Sequence, residues 1–324
     1  MVFSSGAKIT ADIVEEIATK LIATTVPGAY WTDIIVTDTG ATMWTTATKT
    51  ADNAKRALKY NNGIETPIYL ALEVLNSSHG VYYGAPWYYA KGIRVVMSSA
   101  WNSTTHTYSG TIQSTFMPFE LCYSCTATGE LATVMITYFL WVESNGFVVM
   151  GKPEPTGDTY QQSFILVVER ADTINKRYTD IYSNFFVYKA CNIYASLYDG
   201  TNVGTLDRDR QILRPFAYQF SDDTAQRSTL YNGTGISFSP LPTYLAYKSI
   251  GNGKVYYLKP IIHNQANQLA PIFQSELFFM WSEGVGLIDG DIVAIQGQAT
   301  KFLCKALDSP DNVTRLTYAI KYLG

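Results

Sequence analysis

Cys122-Tyr123-Ser124-Cys125 is the one C-x-x-C of the chain. Two thiolates at that spacing begin either a zinc site or a dithiol redox pair. A closed zinc site needs four ligands. No second C-x-x-C and no H-x₃₋₅-H supplies the other two, so they would have to come from distant Cys191, Cys304, His79, His106 or His263. A redox pair needs a βαβ setting and a lowered thiol pKa. This pair instead follows Pro118 in a β-rich stretch. Both cysteines therefore read as small apolar residues at a strand end, and neither metal nor cofactor is expected.

Hydrolytic chemistry finds little footing. Three scattered histidines and no Gly-x-Ser-x-Gly argue against a nucleophilic triad. A glycosidase needs only two carboxyl groups facing a cleft. Glu143, Asp180 and Glu276 lie near aromatics and are the candidates, though surface acids have the same appearance in sequence. Gly251-Asn252-Gly253-Lys254 lacks phosphate-loop spacing, and Asp289-Gly290-Asp291 is too short for a calcium loop. Both read as turns. Asp207-Arg208-Asp209-Arg210 alternates in sign, as either a solvated turn or a salt-bridge patch at a subunit contact. Among these charges Asp207, Arg208 and Arg210 are candidate interface residues. In Tyr82-Tyr83-Gly84-Ala85-Pro86-Trp87-Tyr88-Tyr89, a loop rich in aromatics, Tyr83, Trp87 and Tyr88 offer large contact area at small rotamer cost. Such a loop can cover its own core, plug into a neighbouring subunit or stack on a sugar.

The elements that must carry these residues are mostly strands. Leu131–Val142 is β-branched and aromatic on both faces. Asn145-Gly146 follows it, a type I′ hairpin signal that would pair Val142 with Val149 and Trp141 with Met150. Ser163–Glu169 returns as a third strand, giving an antiparallel meander at the centre of a sheet. Further hairpins are expected over 30–46 and 243–262, and strands over 66–75, 92–98, 108–116, 301–307 and 315–322. The one good helix spans 10–24. Ile9, Ile13, Ile17 and Leu21 recur every four residues, Thr10 or Asp12 can cap it, and Pro27-Gly28 stops it. This apolar stripe packs either on its own sheet or on a neighbouring copy, so Ile13, Ile17 and Leu21 join the candidate interface. The fold class is mainly β: antiparallel sandwich or barrel-like domains with an N-terminal α-helix. The expected division is 1–60 as an arm of helix and hairpin, 61–172 as a β domain holding the meander, and 173–324 as a second β-rich domain.

Composition narrows the partners. Of 324 residues only 16% are charged, against about 25% in an ordinary domain. Tyr, Thr, Ser and Asn must then form much of the surface, as suits either burial against other subunits or simple β-richness. A net charge of −3 without a basic tract sets nucleic-acid binding aside. No spanning helix and no export signal are visible, so no membrane is expected, the thiols are expected reduced, and the Asn-x-Ser/Thr sites read as chance matches.

Two stretches carry a resemblance: TYFLWVESNGFVVMGKP with QQSFILVVER, and GLIDGDIVAIQGQATKFLCKAL with RLTYAIKY. Their cadence resembles virion structural proteins of tailed bacteriophages, in particular tail, baseplate and head–tail components. The resemblance implies a non-enzymatic protein of the virion, assembled in the host cytoplasm and working through contacts with its own copies and other virion proteins. It carries over no functional residue. A carbohydrate- or receptor-binding module of a fibre, with a glycan as partner, is the alternative, and a glycoside hydrolase the third reading. On the arm reading, removal of residues 1–25 leaves a folded monomer that fails to assemble.

Overall fold

The computed structural model describes residues 1–24, 30–34, 44–45, 47–51, 54–82, 87–123, 134–154, 159–161, 163–170, 185–191, 196–197, 216–220, 226–229, 236–239, 246–248, 255–257, 261–264, 270–281, 286–295, 297, 299–308 and 315–323. Within them the chain is mainly β, antiparallel throughout, with one helix near its start. The first sheet sets β1 (Val2–Lys8), β7 (Ile136–Glu143), β8 (Gly146–Pro153), β10 (Phe164–Arg170), β11 (Phe185–Cys191), β13 (Phe216–Phe220) and β14 (Gln226–Thr229) side by side. The second sets β2 (Trp31–Asp33), β3 (Ala54–Tyr60), β4 (Ile68–Tyr82), β5 (Trp87–Asn102), β6 (Thr107–Tyr123) and β9 (Thr159–Gln161), with β12 (Ser196–Leu197) against the far end of β4. Smaller sheets join β15 (Ile236–Ser239), β18 (Ile261–Asn264) and β19 (Ala270–Gln274), and pair β16 (Ala246–Lys248) with β17 (Val255–Tyr257). The last sheet orders β20 (Phe278–Met280), β23 (Arg315–Tyr322), β22 (Lys301–Asp308) and β21 (Ile292–Ala294).

The two large sheets share one core. Alternation along β7 turns Ile136, Tyr138, Leu140 and Val142 inward, where they join Phe147, Val149, Leu166 and Val168 of the same sheet and Leu70, Leu72, Val95 and Met97 of the other. Edge-on contacts among Trp31, Tyr60 and Phe185 close one end of the sandwich, and the Trp31 indole N–H donates to the Ser144 carbonyl at 2.9 Å. The other face of the first sheet is also covered. Trp141, Val148, Met150, Ile165 and Val167 are buried there, and the C-terminal sheet reaches this face. Tyr322 stacks edge-on against Phe3 at 4.9 Å, and the Lys305 ammonium sits 4.8 Å above the Phe139 ring.

The helix α1 (Thr10–Ile22) belongs to this core. Ile13, Val14, Ile17, Ala18 and Leu21 are fully buried among residues of both sheets. This corrects the interface assignment of Ile13, Ile17 and Leu21: the stripe is satisfied within its own chain and presents nothing to a neighbour. Nor does 1–60 stand apart as an arm. β1 is a strand of the first sheet, while β2 and β3 are strands of the second. The first sheet also runs past residue 173 into β11, β13 and β14. The cap differs too. Ile9 occupies the N-cap without a side-chain bond, and Asp12 holds Lys49 at 2.5 Å instead.

The central meander is present, with its turn one residue earlier than expected and its register shifted by two. Glu143 pairs with Gly146, Val142 with Phe147 and Trp141 with Val148. Ser144 and Asn145 are the turn, and neither has the positive φ of a type I′ turn. Gly146 serves the next strand instead. At φ +146° a Cβ there would lie 1.9 Å from the Val168 carbonyl oxygen of β10, so the glycine is fixed by tertiary approach and not by the turn.

β4, β5 and β6 run 15, 16 and 17 residues. The stretch expected as an aromatic loop, 80–89, is instead largely the hairpin of β4 and β5. Tyr82 and Trp87 are backbone partners, and Tyr88 pairs with both Val81 and Tyr123. Where 30–46 was expected to form a hairpin, β2 pairs with β3, and 35–43 lie outside the described residues. The expected strands over 301–307 and 315–322 are β22 and β23, paired residue by residue from Lys301–Tyr322 to Asp308–Arg315.

Candidate functional site

Three acidic side chains sit where chemistry would be sought, each set by a different part of the fold. On the inner face of the first sheet, Ser4 and Lys8 of β1 and Tyr138 of β7 converge on Glu16 of α1. The Ser4 and Tyr138 hydroxyls and the Lys8 ammonium each donate to its carboxylate at 2.6 Å, and Lys20 adds an ion pair one turn on at 2.5 Å. Burial opposes ionisation of Glu16, but Lys20, Lys8, Ser4 and Tyr138 together outweigh it, and the pKa falls to about 2. Burial and the same carboxylate push the Tyr138 phenol up.

On the outer face of the second sheet, Glu73 is 1% exposed. Lys55 and Arg94 flank it from the neighbouring strands in the same row. Arg94 makes a charge-assisted pair with it, Lys55 approaches at 3.4 Å, and the Tyr108 hydroxyl donates to it. Tyr108 reaches back because the hairpin of β5 and β6 bends at the irregularity between Ser98 and Ala100, opposite Gly110. A Cβ on Gly110, at φ +72°, would lie 2.2 Å from the Ser99 hydroxyl. The fold thus lays Trp101 and Tyr108 over Ala57 and Ala71. Burial and the adjacent Glu73 charge raise the Tyr108 pKa well above the usual phenol range.

The third cluster lies between the first sheet and the C-terminal sheet. Glu143, Gly146 and Glu169 share a row on β7, β8 and β10, so two carboxyl groups flank a residue without a side chain. Glu143 accepts from Lys321 at 3.0 Å and from the Trp141 indole at 3.1 Å. Glu169 is 3% exposed and accepts from the Ser275 hydroxyl at 2.7 Å and the Glu276 backbone N–H at 2.8 Å. Burial lifts its pKa to about 8 despite those two donors and the nearby Lys321, with the Glu143 charge adding to the rise. A neutral acid beside an ionised carboxylate is the pairing that glycoside hydrolysis uses. Here, however, Ser275 and Glu276 roof the acid and occupy its oxygens. The arrangement is built to join two sheets.

The sequence candidates are distributed unevenly over these clusters. Glu143 and the backbone of Glu276 meet at the third, while the Glu276 side chain is exposed. Asp180, Tyr83, Asp207, Arg208, Arg210 and Cys125 lie outside the described residues. Trp87, Tyr88 and Cys122 are placed as strand backbone only, as are His79, Cys191 and His263. Cys304 is free and buried, and burial pushes its thiol up to about 12. Asp289 is spent on the Ala306 N–H and the Lys305 ammonium, each at 2.7 Å. No group of three or more metal-ligating side chains forms among the described residues, and no helix among them is long and apolar enough to cross a membrane. Glu16, Glu73 and Glu169 went unnoticed in the sequence because a lone acid at an outward position has no local mark of burial. Their partners lie 4 to 122, 18 to 35 and 106 to 107 residues away for the contacts given above.

No protein-family model, curated protein or solved structure matches this chain.

Proposed function

We propose that this chain is a structural virion protein of a tailed phage, of the tail, baseplate or head–tail region, acting by assembly with its own copies and with other virion proteins. The observation that carries the reading is the length of β4, β5 and β6. Strands of 15 to 17 residues extend about 50 Å at about 3.4 Å per residue, against a common length of about 5–6 residues. β3 accompanies β4 from Ile68 to Val74, and β12 and β9 flank the far end of the hairpin at Val81–Tyr82 of β4 and Glu120–Cys122 of β6. Beyond Val74 the hairpin has the reach to contact a neighbouring subunit. The low charge, the Tyr-, Thr- and Ser-rich composition and the resemblance of the meander and C-terminal stretches support the same reading. Light scattering with negative-stain imaging tests it: rings, tubes or other closed oligomers are expected, and a monomer at high concentration overturns it.

The aromatic residues nearest the hairpin turn favour a second reading, a carbohydrate- or receptor-binding module of a fibre. Tyr82 and Trp87 are paired there, with Tyr88 next along. Binding on a glycan array that is lost on Trp87→Ala supports this reading, and no binding to any glycan or cell removes it.

A further inference from the structure

The C-terminal sheet meets the first sheet through several described contacts, and a buried acid lies among them. Glu169 of β10 receives Ser275 and Glu276 as the chain enters β20. The Ser275 hydroxyl also accepts from the Leu277 N–H at 3.2 Å, and the Leu277 carbonyl accepts the Lys321 N–H of β23 at 3.1 Å. One chain of hydrogen bonds therefore runs from the first sheet into both the first and the last strand of the C-terminal sheet. Around Glu169 the charged groups are Glu143 from β7 and Lys321 from β23, with the exposed Glu276 side chain on the segment above. Lys321 is already committed to Glu143. If Glu169 ionises, a second carboxylate shares the single ammonium at the buried end of the cluster, and buried unpaired charge is strongly disfavoured.

We propose that the C-terminal sheet, residues 275–323, is a conditional clasp on the outer face of the first sheet, closed while Glu169 carries its proton and released when that proton is lost. Release uncovers the outer face of the first sheet where Phe3, Phe139 and Glu143 meet Tyr322, Lys305 and Lys321. The inner core, which contains none of the contacts around Glu169, stays intact.

The direction follows from linkage. The closed state holds the proton up to a pH of about 8, whereas a solvated Glu gives it up near its ordinary value of 4.5. Opening therefore becomes easier by about tenfold per pH unit between those limits and levels off above the upper one. Hydrogen exchange on the intact chain, corrected for intrinsic rate, reads this directly. Amides of 278–280, 302–304 and 318–320 should lose protection along that slope from about pH 5 to about pH 8, while those of 147–150 and 164–168 hold theirs. Glu169→Gln keeps one of the two acceptor oxygens that Ser275 and Glu276 use and cannot ionise, so its C-terminal protection, whatever its level, should be flat with pH. Glu143→Gln removes the opposing charge and should move the plateau to lower pH. Protection of the C-terminal sheet that is flat with pH in the wild type, or lost in parallel with the inner core, overturns the proposal. So does a Glu169→Gln protein that follows the wild-type slope, or, should that variant not fold, a Glu143→Gln protein whose plateau does not move.

Discussion

The two ends of the chain dock on the same strand from opposite sides. The N-terminal helix covers the inner face of β7, and the C-terminal sheet covers its outer face. Each docking includes a buried carboxyl group, yet the two are in opposite states. Glu16 has two ammonium groups and two hydroxyl donors and is held ionised. Glu169 has a hydroxyl and one backbone N–H, with its nearest cation shared with Glu143, and is held neutral. Both burial and partners contribute to the difference: Glu169 is the more deeply buried of the two, and Glu16 has the larger supply of cations within reach. The same difference gives the two attachments different characters: the helix is anchored by five fully buried side chains as well as by charge, whereas the C-terminal sheet depends on a polar seam and a few ring contacts.

The comparison can be broken first by deletion. Removing residues 1–24 takes out β1 and the buried Ile13, Val14, Ile17 and Leu21. At about 1.5–3 kcal/mol for each of these side chains, the loss rivals the roughly 5–15 kcal/mol that stabilises an ordinary domain. The expected result is an unfolded chain by circular dichroism, and a cooperative urea transition in the truncated protein would refute it. A smaller but still large effect is expected at Gly146→Ala, where the new methyl meets the Val168 backbone. A loss of about 3 kcal/mol or more in chemical denaturation is expected, and a loss below 1 kcal/mol would mean that β8 and β10 can separate at little cost. The smallest of the three concerns Glu16 itself. Its folded pKa is depressed, so its contribution is present above about 4.5 and is lost as pH falls toward about 2. Glu16→Gln should cost about 2 kcal/mol at pH 7 and almost nothing at pH 2, and an equal cost at both would assign the role of Glu16 to packing alone.

What was legible in the sequence was whatever is local. Period-two alternation from Ile136 to Val142, the run Phe164–Arg170 and the strands Lys301–Leu307 and Arg315–Tyr322 are each visible within one element. The stripe at Ile13, Ile17 and Leu21 was visible too, but a stripe says only that a helix buries one side, not in which chain. The turn at Asn145-Gly146 misled for an instructive reason. A glycine after asparagine satisfies a turn rule, while this glycine answers to the Val168 carbonyl, more than twenty residues away. Glycine and proline at 84 and 86 similarly suggested a loop, although the strands on either side continue to Tyr82 and resume at Trp87. The acids Glu16, Glu73 and Glu169 were illegible because each is made by contacts between distant elements.

β7 also sets a timetable. Its partners come from residue 2 on one side and residue 321 on the other, and the Glu143–Lys321 contact spans 178 residues. At about 5–20 residues per second of synthesis, on the order of ten to thirty-five seconds separate the making of Glu143 from the arrival of Lys321. During that interval the inner core can close while the outer face of the first sheet lies open to water. Such distant pairings also slow folding in the released chain. The nascent protein is therefore most prone to stray association at this face, and a chaperone or a co-expressed partner that shields it should raise the yield of soluble protein.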